Sequence, residues 1–336
     1  MADIKKEFSD SLDLLKKNKR IVIPVLLSII LPVIFLYLFL SMSGLLPLIK
    51  ELTSVSAEFE KQKLGYLTTK ENVGRENYTL EAINYLGRES SSSEYNKQLG
   101  QYIIQKGFDW GRVMALLNAR NIALLMIFLI ISFITSLYLS SMYYAAITLA
   151  IKKEDIRADN LLRKTNAFVL RLFSFKIIWL GIALAPVVVI GFFIWLSAVF
   201  FSFNKMFLVL SSILLFLLFL AYIIYASMKI FFAIPSIYIE EENAFSSIRR
   251  SFGMTKGRLK EVVLVFLIIY IINYAIGMFM TRPLIDSYLN FLFREGAAIK
   301  TISFILVIIF LALESVALAF THIFRFYAYL DFKQSG

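Results

Sequence analysis

The residues of this chain that could do chemistry lie near its carboxyl end. Glu314 falls in the middle of a long apolar stretch, and His322, the only histidine, follows eight residues later. Eight residues of an α-helix turn through about 80°, so both side chains lie on broadly one side of a helix. A carboxyl group at the centre of a membrane costs about 2.5–3.5 kcal/mol and is expected to face other helices, protonated or paired. Such a group can bind a proton or a cation during transport, or it can join two helices.

Two further polar residues lie in apolar stretches. Asn273 is a candidate hydrogen-bond partner for Glu314, and Lys229 can extend its ammonium group to water or pair with an acid. One interpretation is that these groups only hold helices together, and the other is that they form a conducting or ligand site. We favour the first, because isolated polar groups in spans commonly serve as helix contacts.

Residue types that most enzymes need are missing. The chain has no cysteine and a single histidine, which excludes a zinc cluster, a Cys–His pair and an HExxH motif. The glycines of residues 253–257 lack the spacing of a phosphate-binding loop, and no pair of aspartates lies inside an apolar stretch. We therefore expect no enzyme activity, no cofactor and no metal.

Six long apolar stretches indicate how these residues are positioned. Hydrophobic residues make up 59% of the 336 residues, and each stretch has about the 20 residues that cross a hydrocarbon core. A membrane barrel would instead show short segments of alternating polarity. The sequence predicts an all-α integral membrane protein with six transmembrane helices, at residues 21–40, 122–144, 177–201, 206–230 (extending as far as 239), 262–280 and 302–323.

Basic amphipathic segments precede the first, third and fifth spans. In each, apolar residues at helical spacing come just before or among cations, a pattern typical of helices that lie in the membrane interface. We therefore predict three parallel repeats, each an interfacial helix, a basic turn and a hairpin of two spans. The cations expected to bind anionic lipid headgroups are Lys16, Lys17, Lys19, Arg20, Arg163, Lys164, Arg171, Arg249, Arg250, Lys256 and Arg258.

The distribution of charge also predicts the topology. The net charge of +11 lies mostly beside the spans, so we expect membrane lipids as partners and no nucleic acid. The other connections carry few cations, which places both termini of this multi-pass cell-membrane protein in the cytoplasm. Residues 44–112 are then an extracytoplasmic loop inserted between the first two spans. Its apolar residues at helical spacing predict a helical cap on a single six-helix domain of residues 1–336.

The segment between the fourth and fifth spans resembles a known family. Its pattern is Pro235, an apolar run, the acidic residues 240–242, Ala244-Phe245, Ser251 and a basic-glycine turn at residues 256–258. It is similar to that segment in a broad group of six-helix membrane proteins, which includes the membrane domain fused to some bacterial glycerophosphodiester phosphodiesterases. The resemblance implies a six-helix architecture but no settled activity, and the phosphodiesterase catalytic domain is absent here.

The same segment has a physical interpretation. Pro235 is expected to kink the end of the fourth span, and Glu241 and Glu242 suit the positive end of the helix that follows. Asn243 is a candidate N-cap for that helix.

Two classes of function remain. The first is a non-catalytic membrane protein that binds lipid or docks a protein partner or a second copy. The alternative is a transporter or channel for a small solute or lipid, with Glu314 as its coupling group.

Overall fold

The fold is all-helical in the part of the chain that a computed structural model describes, residues 4–70, 93–116, 118–200, 205–278 and 297–334. These ranges contain no strand. Their α-helices are α1 (Ile4–Lys17), α2 (Val22–Met42), α3 (Leu45–Lys70), α4 (Ser93–Gln105), α5 (Trp110–Ala115), α6 (Ala119–Ile151), α7 (Ala158–Phe200), α8 (Lys205–Lys229), α9 (Ala233–Ile239), α10 (Ala244–Thr255), α11 (Leu259–Ile276) and α12 (Ala297–Gln334).

Six helical segments are long and apolar enough to cross a membrane, which confirms the predicted fold class and number of spans. Most are longer than the apolar stretches alone, because polar residues at their ends continue the helix. The segments are Lys19–Met42, Ala119–Ile151, Ala158–Phe193, Val209–Ile239, Leu259–Ile276 and Thr301–Gln334.

The predicted interfacial helices differ in how they join the spans. Helix α1 is separated from α2 by Asn18 and a 3-10 turn at Lys19–Ile21. A turn at residues 256–258 separates α10 from α11, and Gly257 takes a φ of +79° there, which costs glycine little. No such break precedes the third span, because α7 runs unbroken for 43 residues. The basic turn expected there is absent, and the three-fold repeat stays a prediction.

The chain divides into two compact units, and the predicted single domain of residues 1–336 is not tested by this division. The first unit comprises residues 1–31, 133–285 and 306–336. Its core lies where the spans meet the basic segments, with fully buried side chains such as Leu172, Tyr238 and Phe326. Further along the spans, large apolar side chains point outward, and Val188 is 72% exposed. Outward apolar surface of this kind is what a lipid-facing helix requires.

The second unit comprises residues 32–132 and 286–305 and includes the whole of the predicted cap, residues 44–112. Helices α3 and α4 pack through Phe59 and Tyr102, whose ring centroids are 5.2 Å apart, and through an ion pair between Lys106 and Glu58 at 2.7 Å. Asn121 donates to the carbonyl of Ser43 at 3.1 Å, which joins the ends of α2 and α6. The described part of the cap is mostly helical, as predicted, with non-helical residues at Gly44 and at 106–109. Residues 71–92 lie outside the described part, and the side of the membrane stays a prediction.

Candidate functional site

The fourth span is interrupted near its basic end. Helix α8 ends at Lys229 and α9 begins at Ala233, so the bend occupies residues 230–232, just before the predicted kink at Pro235. Proline has no N–H group and leaves the carbonyl four residues earlier without its helical donor. In this chain that carbonyl belongs to Phe231. A bend in a transmembrane segment therefore creates backbone groups that other residues must satisfy.

Arg325 of α12 supplies donors to this carbonyl. Its guanidinium Nε donates to the oxygen of Phe231 at 2.6 Å, and Nη2 donates to the same atom. The guanidinium carbon also lies 4.5 Å from the centroid of the Phe231 ring, within the range of a cation–π contact. A charged side chain from the last helix thus replaces the backbone donor that Pro235 lacks.

Ser251 of α10 satisfies the other groups of the same break. Its hydroxyl accepts a hydrogen bond from the Phe232 N–H at 3.1 Å and donates one to the Lys229 carbonyl at 2.7 Å. Ser251 is completely buried, which limits competition from water, above all for the bond with Phe232. One side chain therefore bridges both sides of the interruption and ties the short helix α10 to the fourth span.

Residues 240–242 form an acidic connection between α9 and α10. Glu240 pairs with Lys333 at 2.6 Å and with Arg250 at 3.4 Å, and Arg250 also pairs with Glu242 at 2.8 Å. Burial alone would raise the pKa of Glu240 above its usual value of 4.5, but the hydrogen bond and charge of Lys333 and the charge of Arg250 lower it. The Glu240 carboxylate is therefore ionised at neutral pH.

Glu241 also fixes the acidic connection to its surroundings. It adopts a left-handed backbone with φ of +60°, which is uncommon outside glycine. Its carboxylate lies 3.6 Å from the ammonium of Lys164 and 3.5 Å from that of Lys152, and its carbonyl accepts from Arg171. The cations before the third span therefore hold this turn in place. Asn243 then caps α10 as predicted, accepting from the Ser246 N–H at 2.9 Å.

The predicted headgroup-binding cations divide into two groups. Four have partners inside the protein: Lys164, Arg171 and Arg250 as above, and Arg258, which donates to Glu261 at 3.0 Å and to the Phe332 carbonyl at 3.2 Å. Of these four, Arg250 is nevertheless 39% exposed. The others, which we call the exposed group, have exposed side chains, although Arg20 and Arg163 each donate one long hydrogen bond, to Ile156 and Asn160. The exposed group is Lys16, Lys17, Lys19, Arg20, Arg163, Arg249 and Lys256.

Helix α10 presents an outward row that we call the α10 stripe: Phe245, Arg249, Phe252 and Lys256. Phe245, Arg249 and Phe252 are separated by four and three residues, so they lie on one face of the helix, and Lys256 follows the helix directly as its extended C-cap residue. Phe245 is 71% and Phe252 is 42% exposed, and both cations are exposed as well. The opposite face is buried against the first unit, through Ala244, Ser247, Ile248, Ser251 and Thr255.

Glu314 and His322 occupy different surroundings. Glu314 is partly buried, and within the described part of the chain its buried Oε2 has no hydrogen-bond partner. The polar neighbour that we expected for it is therefore not found at that oxygen. His322 packs against Tyr143 and Tyr144, with ring centroids 4.8 Å and 5.4 Å apart. The eight residues between Glu314 and His322 correspond to a rise of about 12 Å along the helix, too far for direct contact.

The remaining two candidates do not join Glu314. Asn273 is exposed and lines an open groove of about 570 Å³ with Tyr270, Tyr274, Gly277 and Met278. Lys229 ends α8, where its ammonium lies 5.6 Å from the centroid of the Tyr225 ring. The four polar candidates are thus distributed over the first unit, and no hydrogen bond is recorded between them in its described residues.

Sequence reasoning missed the two residues that hold the break, Ser251 and Arg325. One signal was available, since a proline in a span implies an unpaired carbonyl and hence a donor elsewhere. The sequence did not indicate which donor it would be.

No cluster of histidine and acidic residues fit to hold a metal ion occurs in the described residues. The resemblance to the membrane domain of phosphodiesterases stays a prediction, since comparison with known proteins adds no relative. No family model, no curated protein and no solved structure matches this chain.

Proposed function

We propose that this chain is a non-catalytic polytopic membrane protein that binds anionic lipid headgroups at the side carrying its basic segments, and that it organises lipid or docks a partner there. The observation that carries this proposal is the α10 stripe. Aromatic and basic side chains alternate on the one face of α10 that the protein leaves uncovered. An amphipathic helix at a membrane surface presents such a face, with its rings among the acyl chains and its cations at the phosphates.

The internal ion pairs support the same proposal. Arg250 neutralises Glu240 and Glu242, whereas Arg249, one residue earlier, points away from them on the exposed stripe. The acidic connection therefore engages its own set of cations and leaves the stripe with a net positive charge. Each Lys or Arg near an anionic leaflet contributes about 1 kcal/mol to binding. Lys16 and Lys17 at the end of α1 add exposed charge of the same sign.

The asymmetry of lysine and arginine supports a cytoplasmic location for this side and for both termini. Because the chain has no cysteine, a single introduced thiol reports its own side of the membrane. An impermeant thiol reagent applied to intact cells is expected to label Gln98→Cys in α4 and to leave Gln334→Cys unlabelled. The reverse labelling pattern would contradict the orientation.

Removing the charge of the α10 stripe is expected to weaken lipid binding. The double variant Arg249→Gln/Lys256→Gln loses two surface cations. The free energy of binding an anionic phospholipid should therefore weaken by about 2 kcal/mol, which is roughly a 30-fold loss of affinity. Native mass spectrometry of the full chain with anionic and zwitterionic lipids measures this change.

The matched control is Arg250→Gln, which removes the neighbouring arginine whose charge is already paired with Glu240 and Glu242. It is expected to lower thermal stability and to leave lipid retention unchanged. Equal retention by the double variant and the native chain would overturn the proposal, as would equal losses in the double variant and the control.

A second candidate function is transport of a proton or small cation through the first unit. It is favoured by the buried Oε2 of Glu314, which has no hydrogen-bond partner in the described residues. In liposomes, Glu314→Gln is then expected to abolish a proton- or cation-dependent flux while the variant keeps its melting temperature, because the amide preserves size and shape. Absence of any such flux in the native protein would eliminate this candidate.

A further inference from the structure

Helix α11 presents a polar and aromatic face to the outside of the first unit. Tyr270, Asn273, Tyr274 and Gly277, here called the α11 face, are spaced by three, one and three residues and lie within an arc of about 100° on a helix. Tyr270 is 61% and Tyr274 is 59% exposed, and Asn273 and Gly277 are exposed too. The two tyrosine rings stack with centroids 6.3 Å apart. Together these residues line the open groove described above.

The depth of Asn273 makes this exposure unusual. Asn273 follows the first residue of α11 by fourteen residues, a rise of about 21 Å, which lies inside a hydrocarbon core of about 30 Å. Lipid chains offer no hydrogen-bond partner to an amide, so a lipid-exposed asparagine at that depth is costly. Within the described residues the Asn273 side chain forms no hydrogen bond, neither to Glu314, the partner that the sequence suggested, nor to another group. The face therefore requires an occupant that carries both a donor and an acceptor.

We infer that the occupant is the same face of a second copy of this chain. An amide is self-complementary, because its NH2 group can donate to the oxygen of an identical amide and its oxygen can accept in return. Two copies with the same orientation in a membrane are related by a two-fold axis along the membrane normal, which places α11 beside α11 and each residue opposite its equivalent. Asn273 of one protomer then pairs with Asn273 of its partner.

Gly277 and the tyrosines fit this arrangement. A Cβ atom built on Gly277 meets nothing within 4 Å, so among the described residues no contact requires glycine at this position. Small residues on transmembrane helices let two backbones approach closely, and glycine permits the nearest approach. The two stacked tyrosine rings lie beside Asn273 on one flank, where they can exclude lipid from the amide pair. This inference does not depend on lipid binding by α10.

Disulfide cross-linking in vesicles tests the dimer directly, because the native chain has no cysteine. Tyr270→Cys lies on the α11 face, where the two-fold axis brings equivalent residues close enough for a disulfide. The matched control is Ile271→Cys, which is similarly exposed at 54% but points about 100° away around the helix. Oxidation of the full chain is expected to link Tyr270→Cys into dimers and to leave Ile271→Cys largely monomeric.

A second measurement tests whether Asn273 holds the dimer together. Dilution of fluorescently labelled protein in vesicles, followed by energy transfer, gives the dissociation constant of the dimer. Asn273→Leu removes both hydrogen bonds of the amide pair, each worth about 0.6–1.7 kcal/mol, and is expected to raise this constant by about 8- to 300-fold. Asn273→Gln keeps the amide and is expected to retain most of the native affinity. A monomer at every protein-to-lipid ratio, or equal cross-linking at both cysteine positions, would overturn the inference. The lipid retention measured for the α10 stripe does not depend on whether the dimer forms, so the two proposals can fail separately.

Discussion

Ser251→Ala is expected to destabilise the protein by about 2–4 kcal/mol. The change removes the hydroxyl that accepts from the Phe232 N–H and donates to the Lys229 carbonyl, and Ser251 is completely buried. Each buried backbone group left without a partner costs roughly 1–3 kcal/mol, and neighbouring losses do not add fully. Equilibrium unfolding in lipid bicelles measures the change in the free energy of unfolding.

Ser247→Ala provides the control for this prediction. Ser247 is also buried on α10, but its hydroxyl donates to the carbonyl of Ala244 within the same helix. Its loss leaves the fourth span untouched, so the effect is expected to stay below about 1 kcal/mol. Equal destabilisation by the two variants would show that Ser251 acts through packing of α10 and does not bridge the break.

Arg325→Met is expected to cost about 1.5–3 kcal/mol, the range for a hydrogen bond with a charged partner. Methionine retains much of the apolar stem but cannot donate to the carbonyl of Phe231. The same unfolding measurement applies. Because the variant also removes a charge from the bundle, the single value alone does not isolate the hydrogen bond.

The substitution Pro235→Ala isolates the contribution of the hydrogen bond between Arg325 and the Phe231 carbonyl. Alanine restores an N–H group four residues after Phe231, so the carbonyl can regain a backbone donor and depends less on Arg325. In a double-mutant cycle, Arg325→Met is therefore expected to cost at least 0.5 kcal/mol less in the Pro235→Ala background than in the native chain. Equal costs in the two backgrounds would show that Arg325 does not compensate for the proline.

The spans and the local caps were predictable from the sequence because their causes are local. A run of about 20 apolar residues must be helical in a membrane, so the six spans follow from composition alone. The cap of α10 at Asn243 is similarly local, since donor and acceptor lie three residues apart. The same holds for the helices of the loop after the first span, where they are described.

The rest depended on contacts between distant parts of the chain. The cations before the third span looked like a basic turn, but α7 is continuous, and Lys164 and Arg171 bind Glu241 about 70 residues later. Arg249 and Arg250 are equivalent in sequence, and only the fold gives them different surroundings. Asn273 matched Glu314 in polarity and depth, yet the rotation of α11 turns it outward, and a hydropathy pattern does not specify that rotation.

The order in which the chain is synthesised determines when the Phe231 carbonyl of the fourth span can receive its hydrogen bond from Arg325. Phe231 and Arg325 are 94 residues apart, so at about 5–20 residues per second the ribosome needs roughly 5–20 s to supply the donor after the acceptor. During that interval the newly inserted break has an unsatisfied carbonyl, which membrane chaperones and proteases can recognise. We therefore expect the cell to treat chains that lack the last helix as incomplete. Chains truncated before residue 297 are expected to be degraded faster in pulse-chase experiments than full-length Arg325→Met, which still supplies the other contacts of α12.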